Sequence, residues 1–178
     1  MRILGRTRRV VVKVGSSTLS STHGIKRESV AHIARSLAEL HTAGTEVVLV
    51  TSGAVAAGMS RLGMKERPRT IPAKQAAAAV GQIALMALYE KDFSAHGVRV
   101  AQILLTHDDL AHRRRYLNAK HTMCTLLEAG VIPIVNENDT VAVEEIQLGD
   151  NDNLSALVAV LVEADLLVIL SDVAGLYE

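Results

Sequence analysis

Apolar positions in this chain fall into two alternating textures. Short runs that are apolar on both faces lie at Val10 to Val14 (VVVKV), Glu46 to Thr51 (EVVLVT), Val98 to Thr106 (VRVAQILLT), Val131 to Val135 (VIPIV) and Leu166 to Leu170 (LLVIL), and each stops at small or polar residues. Such runs predict buried strands ending in loops. Between them the apolar spacing changes to three and four. Val30, Ile33, Leu37 and Leu40 form one helical stripe that Gly44 terminates. Further helices are predicted from just after Gly53 to about Leu62, from Ala73 to Ala95, from about Tyr116 to Ala129 ahead of Gly130, and through LSALVAVLV at Leu154 to Val162; Pro68 and Pro72 mark a loop. Val141 to Leu148 alternates on a shorter period and predicts a hairpin. Doubly buried strands separated by amphipathic helices imply an α/β fold, a three-layer αβα sandwich around a mainly parallel sheet.

In such a fold ligands gather outside the carboxyl ends of the strands. The polar clusters of this chain sit there: Gly15, Ser16 and Ser17 after the first strand, Ser52 and Gly53 after the second, Asn136, Glu137, Asn138 and Asp139 after the fourth, Ser171 and Asp172 after the fifth. Lys13 lies inside an otherwise apolar strand two residues before a small-residue loop, a setting suited to a phosphate. Gly149 to Asn153 (GDNDN) packs two carboxylates and two carboxamides ahead of the last helix. A helix start needs one such residue as a cap. Two carboxylates so close repel unless something cationic sits between them, which marks Asp150 and Asp152 as candidate chemistry.

Other signatures are absent or weak. No two glycines lie two apart, so the dinucleotide fingerprint cannot be written. GAVAAGMS at Gly53 to Ser60 has P-loop glycine spacing, but Met59 stands where that motif needs lysine. His107 and His112 bracket Asp108 and Asp109 without zinc-ligand spacing and predict a solvated loop, with Arg113 to Arg115 as a solvated helix start. No metal site is expected.

The 178 residues are long enough for one substantial core, so a single domain is expected. Nineteen basic and nineteen acidic residues cancel, and only Tyr89, Phe93, Tyr116 and Tyr177 are aromatic, which argues against nucleic acid as a partner. Cys124 is the single cysteine, so no internal disulfide forms and a reducing, cytoplasmic setting is expected. Arg2, Arg6, Arg8 and Arg9 precede an apolar run that Lys13 cuts short of a signal peptide. The apolar stretches at Leu154 to Val162 and Leu166 to Leu170 are split by Glu163 and Asp165 and fall below bilayer length, so no membrane association is expected.

Taken together, VVVKVGSSTL, VLVTSGAVAAG, VNENDTV, GDNDNLSALVA and LLVILSDVAGLY resemble the amino acid kinase family, most closely its glutamate 5-kinase branch. The resemblance covers nearly the whole chain. It implies transfer of the ATP γ-phosphoryl group to the side-chain carboxylate of L-glutamate, with Mg²⁺ carried on the nucleotide, as the first step of proline biosynthesis. By similarity Lys13 would touch the transferred phosphoryl group beside the amides of Gly15 and Ser16. Ser52, Gly53, Asp139 and Asn151 would hold glutamate, with Asn136 and Asp150 close by. Asp152 would orient catalytic lysine rather than take a proton, because the acceptor carboxylate is already ionised. Ser171 and Asp172 would begin the nucleotide site.

Family members usually assemble as dimers or tetramers, and proline is the feedback inhibitor typical of the branch. The family's catalytic domain also runs on to a glycine-rich nucleotide loop and a second catalytic lysine. Residues 1–178 are therefore expected to form its amino-terminal, glutamate-binding portion and not to turn over alone. Two rival readings are a non-catalytic sensor of glutamate and proline, and another family member such as a uridylate kinase. The latter fits poorly, because Asp139, Asp150 and Asp152 crowd a site where a nucleotide phosphate would want Arg or Lys.

Overall fold

The computed structural model describes residues 7–21, 24–142 and 151–171. Strand β1 (Arg9–Val14) leads through a short helix α1 (Ser16–Leu19) and two-residue strands β2 (Ser20–Ser21) and β3 (Gly24–Ile25) to α2 (Arg27–Thr42) and β4 (Glu46–Val50). Then come α3 (Ala54–Arg61), α4 (Ile71–Ser94), β5 (Arg99–Leu105), α5 (His107–Ala111), α6 (Arg113–Glu128), β6 (Val131–Glu137), α7 (Asn151–Leu161) and β7 (Leu166–Leu170). The main sheet has the order β5-β6-β4-β1-β7, and its described pairings are all parallel. β2 and β3 form a separate antiparallel pair.

Alternation along each strand sorts the core into two layers. Val10, Val12 and Val14, with Val47, Leu49, Ile132 and Ile134, pack against Ile33 and Leu37 of α2 and Leu85, Tyr89 and Phe93 of α4. The opposite set, Val11, Val48, Val50 and Val135, packs against Met123 and Leu127 of α6 and Leu154, Val158 and Leu161 of α7. Each fully buried aliphatic side chain contributes about 1.5–3 kcal/mol relative to exposure. The expected αβα sandwich is the observed one.

Crossover handedness explains which helix lies where. From β1 through β4 to β5 the chain moves one way across the sheet, and from β5 through β6 to β7 it moves back. Right-handed connections then put α2 and α4 on one face and α6 and α7 on the other. β4 and β6 are neighbours whose following segments leave toward opposite faces. A crevice opens between their carboxyl ends, as at the switch point of other open α/β sheets.

Two close backbone approaches fix α3 on α4. A Cβ on Gly58 would fall 1.7 Å from the carbonyl oxygen of Ala77, and one on Gly81 would fall 1.7 Å from that of Ala54. Only glycine permits this crossing. At the far end of the sheet Arg9 Nε donates to Glu46 Oε2 at 2.7 Å, and the Arg8 and Arg9 amides both donate to Asp165 Oδ2 at 2.8 Å.

Several local expectations are corrected. The segment at His107 is helix α5 rather than a loop, because Thr106 and Asp109 form a reciprocal capping box. Accordingly α6 begins at Arg113. Pro72 belongs to the first turn of α4, where its missing N–H costs nothing. The fourth strand continues to Glu137, and Ser16–Leu19 forms a helical turn. Most of the hairpin expected at Val141 to Leu148 lies outside the described residues. By length and composition helix α4 could cross a membrane, unlike the shorter apolar stretches at Leu154 to Val162 and Leu166 to Leu170. One side of it is core, with Leu85, Tyr89 and Phe93 fully buried.

Candidate active site

Lys13 shares its sheet face with Arg9 and Val11, the face covered by α7. Four strand residues span about 13 Å, and the ten-residue rise from Asp152 to Val162 spans about 15 Å. Helix α7 therefore lies along β1 with matched ends. The Arg9 guanidinium donates to the carbonyl of Val162 at one end, and the Lys13 ammonium pairs with Asp152 at the other. β1 lies between β4 and β7, so Lys13 is not on an edge strand, and its side chain is only 12% exposed. Gly15 leaves space beside it: a Cβ there would sit 3.5 Å from Lys13 Nζ and 4.0 Å from the carbonyl of Leu170, which precedes Ser171.

Asn151, one residue before Asp152, is buried at the centre of a polar network. Its Nδ2 lies 2.6 Å from the carbonyl oxygen of Thr51, 2.9 Å from Ser52 Oγ and 3.1 Å from Asn136 Oδ1, so its two hydrogens serve three acceptors with one of them shared. The Thr51 carbonyl can only accept, which sets the orientation of the amide. Asn136 in turn donates through Nδ2 to Gln82 Oε1 at 2.8 Å, and Thr51 Oγ1 lies 2.9 Å from the Tyr89 hydroxyl. Residues of β4, β6, α4 and α7 are thus locked together behind the crevice. Burial pushes the Tyr89 phenol well above its ordinary pKa, so it stays protonated.

The crevice itself is a cavity of about 210 Å³, and Ser16, Ser52, Gly53, Asn136, Asp139 and Asn151 line it. Gly53 adopts φ 102°, and a Cβ there would press 3.2 Å from Ile25 Cδ1. This left-handed turn aims the amino end of α3, with its unpaired N–H groups, at the cavity. Asp139 forms no ion pair among the described residues, and burial raises its carboxyl to about 6. A half-buried, partly desolvated carboxylate with no ion pair is poised to receive a cation.

Most of the sequence-predicted residues converge. Ser16, Ser52, Gly53, Asn136, Asp139 and Asn151 share the cavity, while Lys13, Asp152, Gly15 and Ser171 adjoin it at the ends of β1, α7 and β7. Asp150 and Asp172 lie outside the described residues. Sequence reasoning missed Arg67 and Lys74, which also line the cavity, and Gln82 and Tyr89, which brace it. Lys74 left a faint signal as a lone cation at the start of an Ala-rich helix. Gln82 and Tyr89 left none.

Comparison with known proteins gives a match to the sequence model of the Amino acid kinase family over residues 8–178. This chain belongs to that family. Among curated relatives, a protein named glutamate 5-kinase from Moorella thermoacetica is 61% identical over 98% of this chain and 46% of its own length. Proteins of the same name from Carboxydothermus hydrogenoformans and Thermus thermophilus are each 60% identical, over 98% and 96% of this chain and 48% and 46% of their own lengths. The chain therefore spans about half the length of these relatives. The parallel five-stranded sheet with helices on both faces is the α/β architecture expected of the amino acid kinase family.

Proposed function

We propose that this protein transfers the γ-phosphoryl group of ATP to the side-chain carboxylate of L-glutamate, forming L-glutamyl 5-phosphate at the head of proline biosynthesis. The observation that carries the reading is Asp139: a half-buried carboxylate with no ion pair among the described residues, facing the same cavity as Asn151 and Ser52. An amino acid's ammonium group supplies the missing charge and, once out of water, needs such an acceptor. The names of the relatives point to the same substrate.

Phosphoryl transfer asks mainly for alignment and for cations around the equatorial oxygens. Lys13, kept in place by Asp152 and open on the Gly15 side, is the cation at the strand end beside the acceptor cavity. Its role in this reading is to hold the transferred group while the acceptor carboxylate approaches. Asp152 orients the ammonium. Gly15, Ser16 and Ser171 flank the phosphate path in this reading, Asp172 is assigned to the nucleotide by the resemblance alone, and magnesium enters only as the companion of the nucleotide. Dimers or tetramers, competition by proline for the acceptor cavity and a cytoplasmic setting complete the proposal.

The test is ADP release by the full protein with and without L-glutamate, with hydroxylamine present to trap the acyl phosphate as a hydroxamate. Glutamate-dependent ADP matched by hydroxamate supports the reading. Release indifferent to glutamate overturns it.

A further inference from the structure

Glutamate carries two carboxylates and one ammonium group, and the residues discussed so far account for only two of the three. The reacting carboxylate belongs near Lys13, and the ammonium group belongs on Asp139. The α-carboxylate has no partner yet. Two cations line the cavity that holds Asp139 and Asn151: Arg67 from the loop between α3 and α4, and Lys74 from the first turn of α4. Neither forms an ion pair among the described residues, although nearby Arg69 pairs with Glu66 at 3.6 Å. Lys13 does not line this cavity but adjoins it, so Arg67 and Lys74 are not needed at the reacting end.

We propose that Lys74 and Arg67 form the subsite for the α-carboxylate of the acceptor, and so decide that the protein takes an α-amino acid rather than a simple ω-carboxylate. The inference rests on the glutamate reading above. Lys74 is backed by the amino end of a 24-residue helix whose first turn holds no acid and whose Thr70 makes no side-chain cap. The positive end of that helix adds to the field of the lysine. The helix is also fixed against the acidic wall. Gln82 accepts from Asn136, Gln75 Nε2 donates to the carbonyl of Ala142 at 3.4 Å, and Gly81 meets α3 backbone to backbone. Cations on α4 and its loop, and the carboxylate of Asp139 beyond the end of β6, thus face one space, and no ion pair joins Asp139 to either cation among the described residues. A zwitterion bridges such a space with one charge to each wall.

Isothermal titration of the full chain and of its K74Q and R67Q variants tests this with L-glutamate and with 4-aminobutyrate, which is glutamate without its α-carboxylate. Each substitution is expected to weaken L-glutamate by about tenfold to a hundredfold, the worth of a charge-assisted hydrogen bond. Affinity for 4-aminobutyrate should stay within about twofold on the same basis. Lys74→Arg should recover part of the loss. Equal weakening of both ligands, or of neither, overturns the inference while leaving glutamate binding itself intact. Failure of the unaltered protein to bind glutamate overturns the parent reading and this one with it. Arg67 lies in an exposed loop, so its variant keeps the test clear of folding effects.

Discussion

Lys13 at the end of β1 and Asp152 in the first turn of α7 form an ion pair that joins the central sheet to the helix covering it. The pair exists because Lys13 points to the same face as Val11, and because α7 runs back along β1 from Val162 to Asp152. Strand parity and helix length together bring an ammonium and a carboxylate to the mouth of the crevice. Asp152 is half exposed, so solvent screens its contribution to stability.

Replacing Asp152 with Asn is therefore expected to leave the thermal midpoint nearly unchanged while lowering turnover about a hundred- to a thousand-fold, the usual cost of a lost transition-state stabiliser. Lys13→Met should behave alike. Steady-state kinetics beside a melting curve separates the two effects, and a large drop in midpoint with modest loss of turnover would contradict the assignment.

Asn151 is expected to respond differently. Asn151→Asp replaces the N–H donors that serve Thr51, Ser52 and Asn136 with an acceptor, leaving a buried carbonyl unpaired at a cost of about 1–3 kcal/mol. Chemical denaturation should register that loss even without ligand. Stability equal to the unaltered protein would show that the network does not brace the site.

Gly58→Ala sets helix propensity against packing. Propensity alone predicts a gain of about 1 kcal/mol. The methyl group would have to occupy the carbonyl oxygen of Ala77, and we expect the clash to dominate with a net loss of about 3 kcal/mol. For a chain of this size that is a fall in midpoint of about 6–12 °C. A raised midpoint would mean that α3 and α4 do not cross this closely.

Asp139 predicts a pH dependence of the opposite sign to that of a paired carboxylate. Its folded pKa of about 6 lies above its ordinary value of 3.8, so the native state holds a proton that the unfolded chain has released between those limits. Stability is then greatest below about pH 4 with respect to this group and falls as pH rises to 6, by about 3 kcal/mol in total. Asp139→Asn should remove that decline, making the unliganded protein more stable at pH 7 while abolishing glutamate binding. At pH 6 glutamate should also displace about half a proton, measurable as a calorimetric heat that changes with buffer ionisation enthalpy. A heat independent of buffer would rule out Asp139 as the ammonium acceptor.

Much of this was legible along the chain. Continuous apolar runs flanked by period-3.6 stripes are imposed by burial on both sheet faces, so strands such as Val10 to Val14 and Glu46 to Val50 and their parallel arrangement could be read locally. The polar residues that terminate strands betrayed the crevice, because a parallel sheet puts all those termini at one end. Capping chemistry at Thr106 was legible in principle too, but competing signals from nearby histidines and arginines masked it.

Only tertiary structure decided the rest. Which neighbours diverge at the switch point depends on strand order, and strand order follows from long-range pairing that no local spacing encodes. Gln82, Tyr89, Arg67 and Lys74 reach the site because α4 crosses α3 at Gly58 and Gly81, a contact set by two missing methyl groups in different helices. A side chain's type and spacing determine what it can do; the backbone's path through space determines what it meets.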